Sequence, residues 1–238
     1  MKALCLITFV PNQSWCDFLN AFDAYKIFMV VDNNAFDLSE FVATYQKITF
    51  IQVKNETCHA HGYIDTSFTL GKLVAGWDKA LYYFGVENTT HDVVWFMEDD
   101  VYFHSEKTLS NVDNQYEKED MLSNRYSENR DGNKKTWHWN KINIQQYPPP
   151  YYNGMMCCVR FSQQMMRCIH AYATAHKTLF FLEALFPTLA IKNNLQYKQP
   201  KELHTIHWRY NFTKKDMNTT SFYHPVKNIT NHILFRTN

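Results

Sequence analysis

Glycine is scarce in this chain, with six residues in 238, about 2.5% against an average usage of roughly 7%. None of Gly62, Gly71, Gly76, Gly85, Gly132 and Gly154 stands in a G-x-G pair, which excludes the glycine-rich dinucleotide fingerprint. Gly71 and Gly76 have the spacing of the two P-loop glycines. Trp77-Asp78 occupies the place of that loop's Lys and Ser/Thr, so it is excluded too. An excess of charge is also lacking: 24 Lys+Arg stand against 23 Asp+Glu with no basic stripe, which argues against a nucleic-acid partner. The six cysteines contain no C-x-x-C, and the adjacent Cys157-Cys158 reads as buried strand packing in a reducing compartment. No apolar run reaches the roughly 18 residues of a membrane span, and the apolar run within Met1–Val10 is too short for a secretion signal. A cytoplasmic protein without a transmembrane segment is expected. Six N-x-[ST] sequons, beginning at Asn12, Asn55, Asn88, Asn211, Asn218 and Asn228, then count as chance matches in an asparagine-rich chain.

What is present is apolar and aromatic: 45% hydrophobic residues, and 18 Phe, 15 Tyr and 6 Trp. A chain of this length and composition can bury one large core, so a single α/β domain is expected. Residues 3–10, 25–34, 47–53 and 92–97 read as buried strands, with amphipathic helices over 15–24 and 69–85, the latter through Leu70, Leu73, Val74, Trp77, Ala80, Leu81 and Phe84. This alternation predicts βαβ units and a mostly parallel sheet flanked by helices. Residues 104–150 are polar and loop-rich, with a helix near 106–117. A strand follows over 151–162, then helices from Ser162 to about 175 and over 178–193, and strand-like pieces near 203–208 and 232–236.

The strand 92–97 runs straight into Glu98-Asp99-Asp100. Three successive carboxylates at a strand end repel one another unless a cation or hydrogen-bond donors compensate them. In open α/β sheets ligands bind at the carboxyl ends of strands, so a hard divalent cation held with substrate phosphates is one reading and a solvated acidic turn the other. The flanking apolar segments hold the triplet rigidly and favour the cation.

Val93-Val94-Trp95-Phe96-Met97-Glu98-Asp99-Asp100-Val101 resembles the acidic D-x-D-type motif of glycosyltransferases with the GT-A fold, some of which carry Glu-Asp-Asp. The resemblance implies a GT-A-like α/β domain, with residues 1–103 as the nucleotide-sugar-binding half and 104–238 as the acceptor-binding and catalytic half. It implies that Asp100 ligates Mn²⁺ or Mg²⁺ bridging the donor diphosphate, while Glu98 and Asp99 face the ribose or donor sugar. Thr8, Phe9 and Val10 with Asp32, Asn33 and Asn34 would hold the nucleotide base. Lys72, Trp77, Asp78 and Lys79 would contact sugar and phosphate, and Gly154, after Asn153, would offer backbone to the donor sugar.

Glu183 stands in the apolar segment 178–188, where desolvation would raise its pKa as a general base requires. That stretch is similar to the region of inverting GT-A enzymes, including the core-2 branching type, where an Asp or Glu opening a late helix deprotonates the acceptor. The other reading is a helix-surface glutamate, and Asp92 and Asp78 are weaker substitutes. In an extended segment His204 and His207 point to opposite faces, so one of them at most completes a common metal site, as a C-terminal histidine does in many GT-A enzymes. Arg209, or Lys214-Lys215, would steady the leaving diphosphate. Trp137-His138-Trp139, Tyr147, Tyr151 and Tyr152 could form an aromatic platform for an acceptor sugar or belong to the core. The function expected is metal-dependent transfer from a nucleotide-sugar, a UDP-sugar first, to an oligosaccharide or glycoprotein glycan. The alternatives are a metal-dependent phosphoesterase or nuclease and a non-catalytic carbohydrate-binding domain.

Overall fold

The computed structural model describes residues 1–142 and 147–237. Its elements in chain order are β1 (Lys2–Thr8), α1 (Gln13–Asn20), β2 (Lys26–Val31), α2 (Ser39–Thr44), β3 (Ile48–Ile51), α3 (Asn55–Ala60), α4 (Gly76–Tyr82), β4 (Val93–Glu98), α5 (Glu106–Gln115), β5 (Met121–Leu122), β6 (Tyr126–Asn129), β7 (Tyr151–Gly154), β8 (Cys158–Ser162), α6 (Gln163–His176), α7 (Leu182–Lys192), β9 (Tyr197–Lys198) and α8 (Ile229–Arg236). The main sheet has the order β3-β2-β1-β4-β8-β5-β9, and β6 pairs with β7 in a separate two-stranded sheet. Within the main sheet only β8 runs antiparallel to its neighbours. A mostly parallel α/β sheet flanked by helices is therefore what forms, as the alternating pattern predicts. The chain steps outward from β1 to β2 and β3, then returns to lay β4 on the other side of β1. The carboxyl ends of β1 and β4 thus meet at a switch point, where such sheets open a crevice.

Both faces of the central strands are covered. Ala3, Cys5 and Ile7 of β1 with Val94 and Phe96 of β4 pack on Trp77, Phe84 and Phe186; Leu4, Leu6, Trp95 and Met97 pack on Trp15, Leu19 and Leu109. Double coverage is why these strands are continuous apolar runs rather than alternating ones.

The structure corrects four local expectations. The helix expected over 69–85 begins at Gly76. Gly71 adopts φ +69° after a 3₁₀ turn at Phe68–Leu70, and Leu70 and Leu73 are exposed instead of lining an apolar face. The buried Asp78 carboxylate accepts the backbone N–H groups of Ala75 and Thr66 and so fixes the helix start. The strand expected over 151–162 is two, β7 and β8, in different sheets; the apolar Met155-Met156-Cys157 between them carries no breaker residue to announce the division. The piece near 203–208 is a 3₁₀ turn at Lys201–Leu203 followed by a single bridge from Ile206 to His224. The piece at 232–236 is helical: Asn228 caps α8 by accepting from Thr230 N, and His232 and Phe235 face inward at helical spacing while Ile233 and Leu234 face out.

Across the sheet from the site, Asp113 of α5 clamps β4 to β8. It accepts from Trp95 Nε1 at 3.1 Å, Arg160 Nη1 at 3.2 Å and the Tyr25 hydroxyl, and both Asp113 and Arg160 are buried. Removing one partner of such a pair strands the other charge. Asp113→Ala should lower unfolding free energy by about 3–5 kcal/mol in urea titrations; a loss below 1 kcal/mol would contradict this account.

Candidate functional site

The acidic triplet closes β4 at the switch point. Thr8, the last residue of β1, donates its hydroxyl to Asp99 Oδ2 at 2.5 Å, and Trp15 Nε1 donates to the Asp99 carbonyl at 2.9 Å. Glu98 accepts from Trp77 Nε1 at 2.7 Å. The Trp77 indole is itself buried between Phe96 and Phe186, so the orientation of the Glu98 carboxylate is set by a ring locked in the core. Burial, followed by the charge of Asp100, raises the Glu98 pKa despite that hydrogen bond.

Asp100 meets a residue the sequence reading did not single out. Tyr102 and Tyr223 exchange backbone hydrogen bonds at 2.8 Å, Val226 N donates to the Asp100 carbonyl at 2.7 Å, and His207 N donates to the His224 carbonyl at 2.9 Å. These two bridges, antiparallel at Tyr102 and Tyr223 and parallel at Ile206 and His224, carry the His224 ring to Asp100, with Nε2 3.2 Å from Oδ1. Glu98, Asp100 and His224 each offer one ligand atom, all within 4.8 Å of one another. The ring's other nitrogen, Nδ1, lies 2.7 Å from the His207 carbonyl, which can only accept, so Nδ1 bears the hydrogen. A neutral His224 therefore turns its Nε2 lone pair toward a carboxylate oxygen that is buried and receives no hydrogen bond. Two acceptors facing each other at this distance need a proton or a metal ion between them. Burial works most strongly against the imidazolium, but Asp100, the His207 carbonyl and Glu98 together outweigh it and the His224 pKa is raised, which is the proton's answer. Two carboxylates and an imidazole oriented by a backbone carbonyl also fit a hard divalent cation with open positions.

Glu183 lies in the first turn of α7, half-buried. A helix start favours a carboxylate, yet burial and the neighbouring charge of Glu98 push the Glu183 pKa up to about 7. Asp92 lies at the other end of β4, exposed and paired with the N-terminal amine, while Asp78 is consumed in capping α4.

Two clefts flank the triplet. On one side Thr8, Phe9, Asp32, Lys72 and Trp77 line a recess with Glu98, Asp99 and Asp100, continuous through Phe9, Asp32 and Lys72 with a cleft of about 670 Å³ that includes Asn33 and Asn34. Asp32 is held between Lys79 Nζ at 2.8 Å and Lys72 Nζ at 3.1 Å. Lys79 is buried in this pair and in contacts to the Asp32 carbonyl and Asn34, so its charge is engaged by protein; Lys72 remains half exposed and reaches over the Phe9 ring. On the other side Val10, Asn12, Asp99, Asp100, Lys227 and His232 line a second recess. Lys227, also unremarked in the sequence, extends into a neighbouring cleft with Arg209.

The remaining candidates lie apart from the donor set. His204 Nδ1 is 3.2 Å from Arg125 Nη2, and His207 reaches the site through its main chain, orienting His224. Gly154 ends β7 in the hairpin, where a Cβ would stand 2.6 Å from the Arg125 carbonyl; glycine there serves strand approach. Trp137, His138 and Trp139 are half-buried, packed on one another and on Phe68, Phe181 and Tyr151.

In comparisons with known proteins no family model matches the chain, and no curated protein matches it. Solved structures similar to it include a 4-diphosphocytidyl-2C-methyl-D-erythritol synthase from Anaerococcus prevotii, at 10% identity over 84% of this chain and 86% of that one, TM-score 0.47. An active-site mutant of LgtC is similar at 11% identity over 84% and 72%, TM-score 0.46. Mouse xyloside xylosyltransferase 1 in its apo form is similar at 11% over 84% and 85%, TM-score 0.42. These are likenesses of layout alone. Among the described residues no helix is long and apolar enough to cross a membrane.

Trp77→Phe keeps the packing of the ring and removes the N–H that aims Glu98. Calorimetric titration with Mn²⁺ should show affinity reduced about 10- to 100-fold with little change in melting temperature; equal affinity would separate Trp77 from the donor set.

Proposed function

We propose that the chain is a GT-A-type glycosyltransferase that moves a sugar from a nucleoside-diphosphate donor, a UDP-sugar first, to a glycan hydroxyl, with a divalent cation, Mn²⁺ or Mg²⁺, and inversion at the transferred carbon. The observation that carries this reading is the convergence of Glu98, Asp100 and His224 at the β1/β4 switch point, with the charge of Glu98 felt at Glu183. A cation bound by these three residues would neutralise the donor diphosphate and assist its departure. His224 enters that state by giving up its Nε2 proton while Nδ1 stays bonded to the His207 carbonyl. Phe9, Asp32 and Asn33 line the cleft for base and ribose, and Lys72, half exposed and paired with Asp32, supplies a positive charge at its edge. Glu183 takes the proton of the attacking hydroxyl, so that direct displacement leaves the opposite anomeric configuration. Among the described residues a single group of three such ligands occurs, which weighs against a two-metal phosphoesterase.

Thermal-shift measurements with UDP-, GDP- and dTDP-sugars test the assignment: stabilisation should require nucleotide and Mn²⁺ together. Asp100→Ala should abolish it, along with Mn²⁺-dependent donor hydrolysis, while leaving the fold intact; unchanged behaviour would sink the reading.

Glu183→Gln should lower kcat about 10²- to 10⁴-fold. A base must be ionised to act, so in the parent kcat/KM should rise with pH and level off. Neutralising Glu98 removes one cause of the raised pKa, which sets that limb at or below about pH 7. The limb should vanish in the Gln variant, and its persistence would assign it to another group.

A further inference from the structure

Among the described residues only three aromatic side chains are exposed: Phe9 at 59%, Trp208 at 69% and Tyr210 at 49%. Phe9 belongs to the donor cleft, and the Trp137–Trp139 cluster faces inward. Trp208 and Tyr210 stand together at the rim of a cleft of about 820 Å³ between residues 208–212 and 225–231. An exposed indole forgoes a large hydrophobic contribution, and a neighbouring pair of exposed rings at a cleft rim marks a binding surface. The Tyr210 ring is firmly founded, while the Trp208 ring has the Arg209 guanidinium 5.7 Å from its centre. Tyr210 packs on Phe212 at 4.4 Å and on His207 at 5.4 Å, and Phe212 sits edge-on to Tyr223, beside His224.

The lining decides the class of ligand. Asn211 and Asn231 provide carboxamides, which both donate and accept and so match hydroxyl groups, and Asn228, whose Oδ1 caps α8, adds its amide N–H groups. Arg209 and Lys227 are the charged members and no carboxylate among the described residues lines the cleft, which suits neutral or acidic ligands and disfavours basic ones. Val226 is buried, so no open aliphatic pocket awaits a peptide side chain. Flat rings beside carboxamides are the chemistry that holds a pyranose, whose apolar face stacks while its edge hydrogen-bonds. Lys227 and Asn228 also line the recess that contains Asp99 and Asp100, so the surface leads directly to the acidic site.

We propose that this cleft binds the acceptor oligosaccharide, with a sugar ring stacked on Trp208 and Tyr210 and the chain passing over Lys227 toward Asp100. The acceptor role rests on the transferase reading, whereas glycan binding is measurable alone. The full chain, without metal or donor, is applied to an array of immobilised neutral and acidic oligosaccharides, together with Trp208→Ala and Tyr210→Ala. Wild type should bind a subset of the glycans, and Trp208→Ala should weaken that binding about tenfold or more at an unchanged melting temperature. Trp208 is the more exposed of the two, and loss of binding at an unchanged melting temperature cannot arise from unfolding. Absence of glycan binding by wild type, or undiminished binding by both variants, overturns the proposal. Failure of the transferase reading would show separately, as absence of stabilisation by Mn²⁺ with nucleotide.

Discussion

The contact between Asp100 and His224 is the constraint around which the site is organised. It joins the end of a central strand to a segment more than a hundred residues later, and with Nδ1 committed to a backbone carbonyl it holds Nε2 against a carboxylate oxygen, a contact that a proton on Nε2 or a metal ion completes. The neighbouring polar contacts serve to hold that confrontation in place. Thr8 and Trp15 fix Asp99, Trp77 fixes Glu98, and the seam between Tyr102 and Tyr223 prevents the histidine from swinging away. A cluster of acids so immobilised is prearranged for a positive charge rather than adapting to one.

Much of this was readable from the sequence where the signal is local. β1, β2 and β4 are apolar runs because both of their faces are covered, and an acidic triplet following such a run is conspicuous. The start of α4 was not readable in the same way, since the apolar spacing continues back through Leu70 and Leu73 and only the tertiary position of Asp78 and the turn at Gly71 decide otherwise. His224 was hidden for a different reason. Its role depends on a pairing between distant backbones that has no periodicity to read. The signal available was the short apolar island Phe222-Tyr223-His224-Pro225-Val226 in an otherwise polar tail. His207 drew attention for its proximity to His204, and it touches the site through its backbone, which no side-chain pattern encodes.

The sequons have a structural explanation as well. Asn12, Asn218 and Asn228 accept, through Oδ1, the backbone N–H two residues on, and Asn88 accepts the hydroxyl of Thr90. The asparagine is thus, at four of the six places, placed by local turn and cap chemistry, and the hydroxyl two positions on takes part at Thr90 and Thr220. A recurring tripeptide in this chain reports on how its loops fold.

The clamp formed by Asp113, Arg160 and Trp95 lies across β4 from the helices that hold Trp77 and Glu183, in the opposite layer of the core. Trp77 and Glu183 thus act from one layer and the clamp from the other, the clamp sharing its layer with Trp15, whose indole N–H holds the Asp99 carbonyl. Substitutions at the crevice and at the clamp that lie far apart and touch no common residue should then change stability additively.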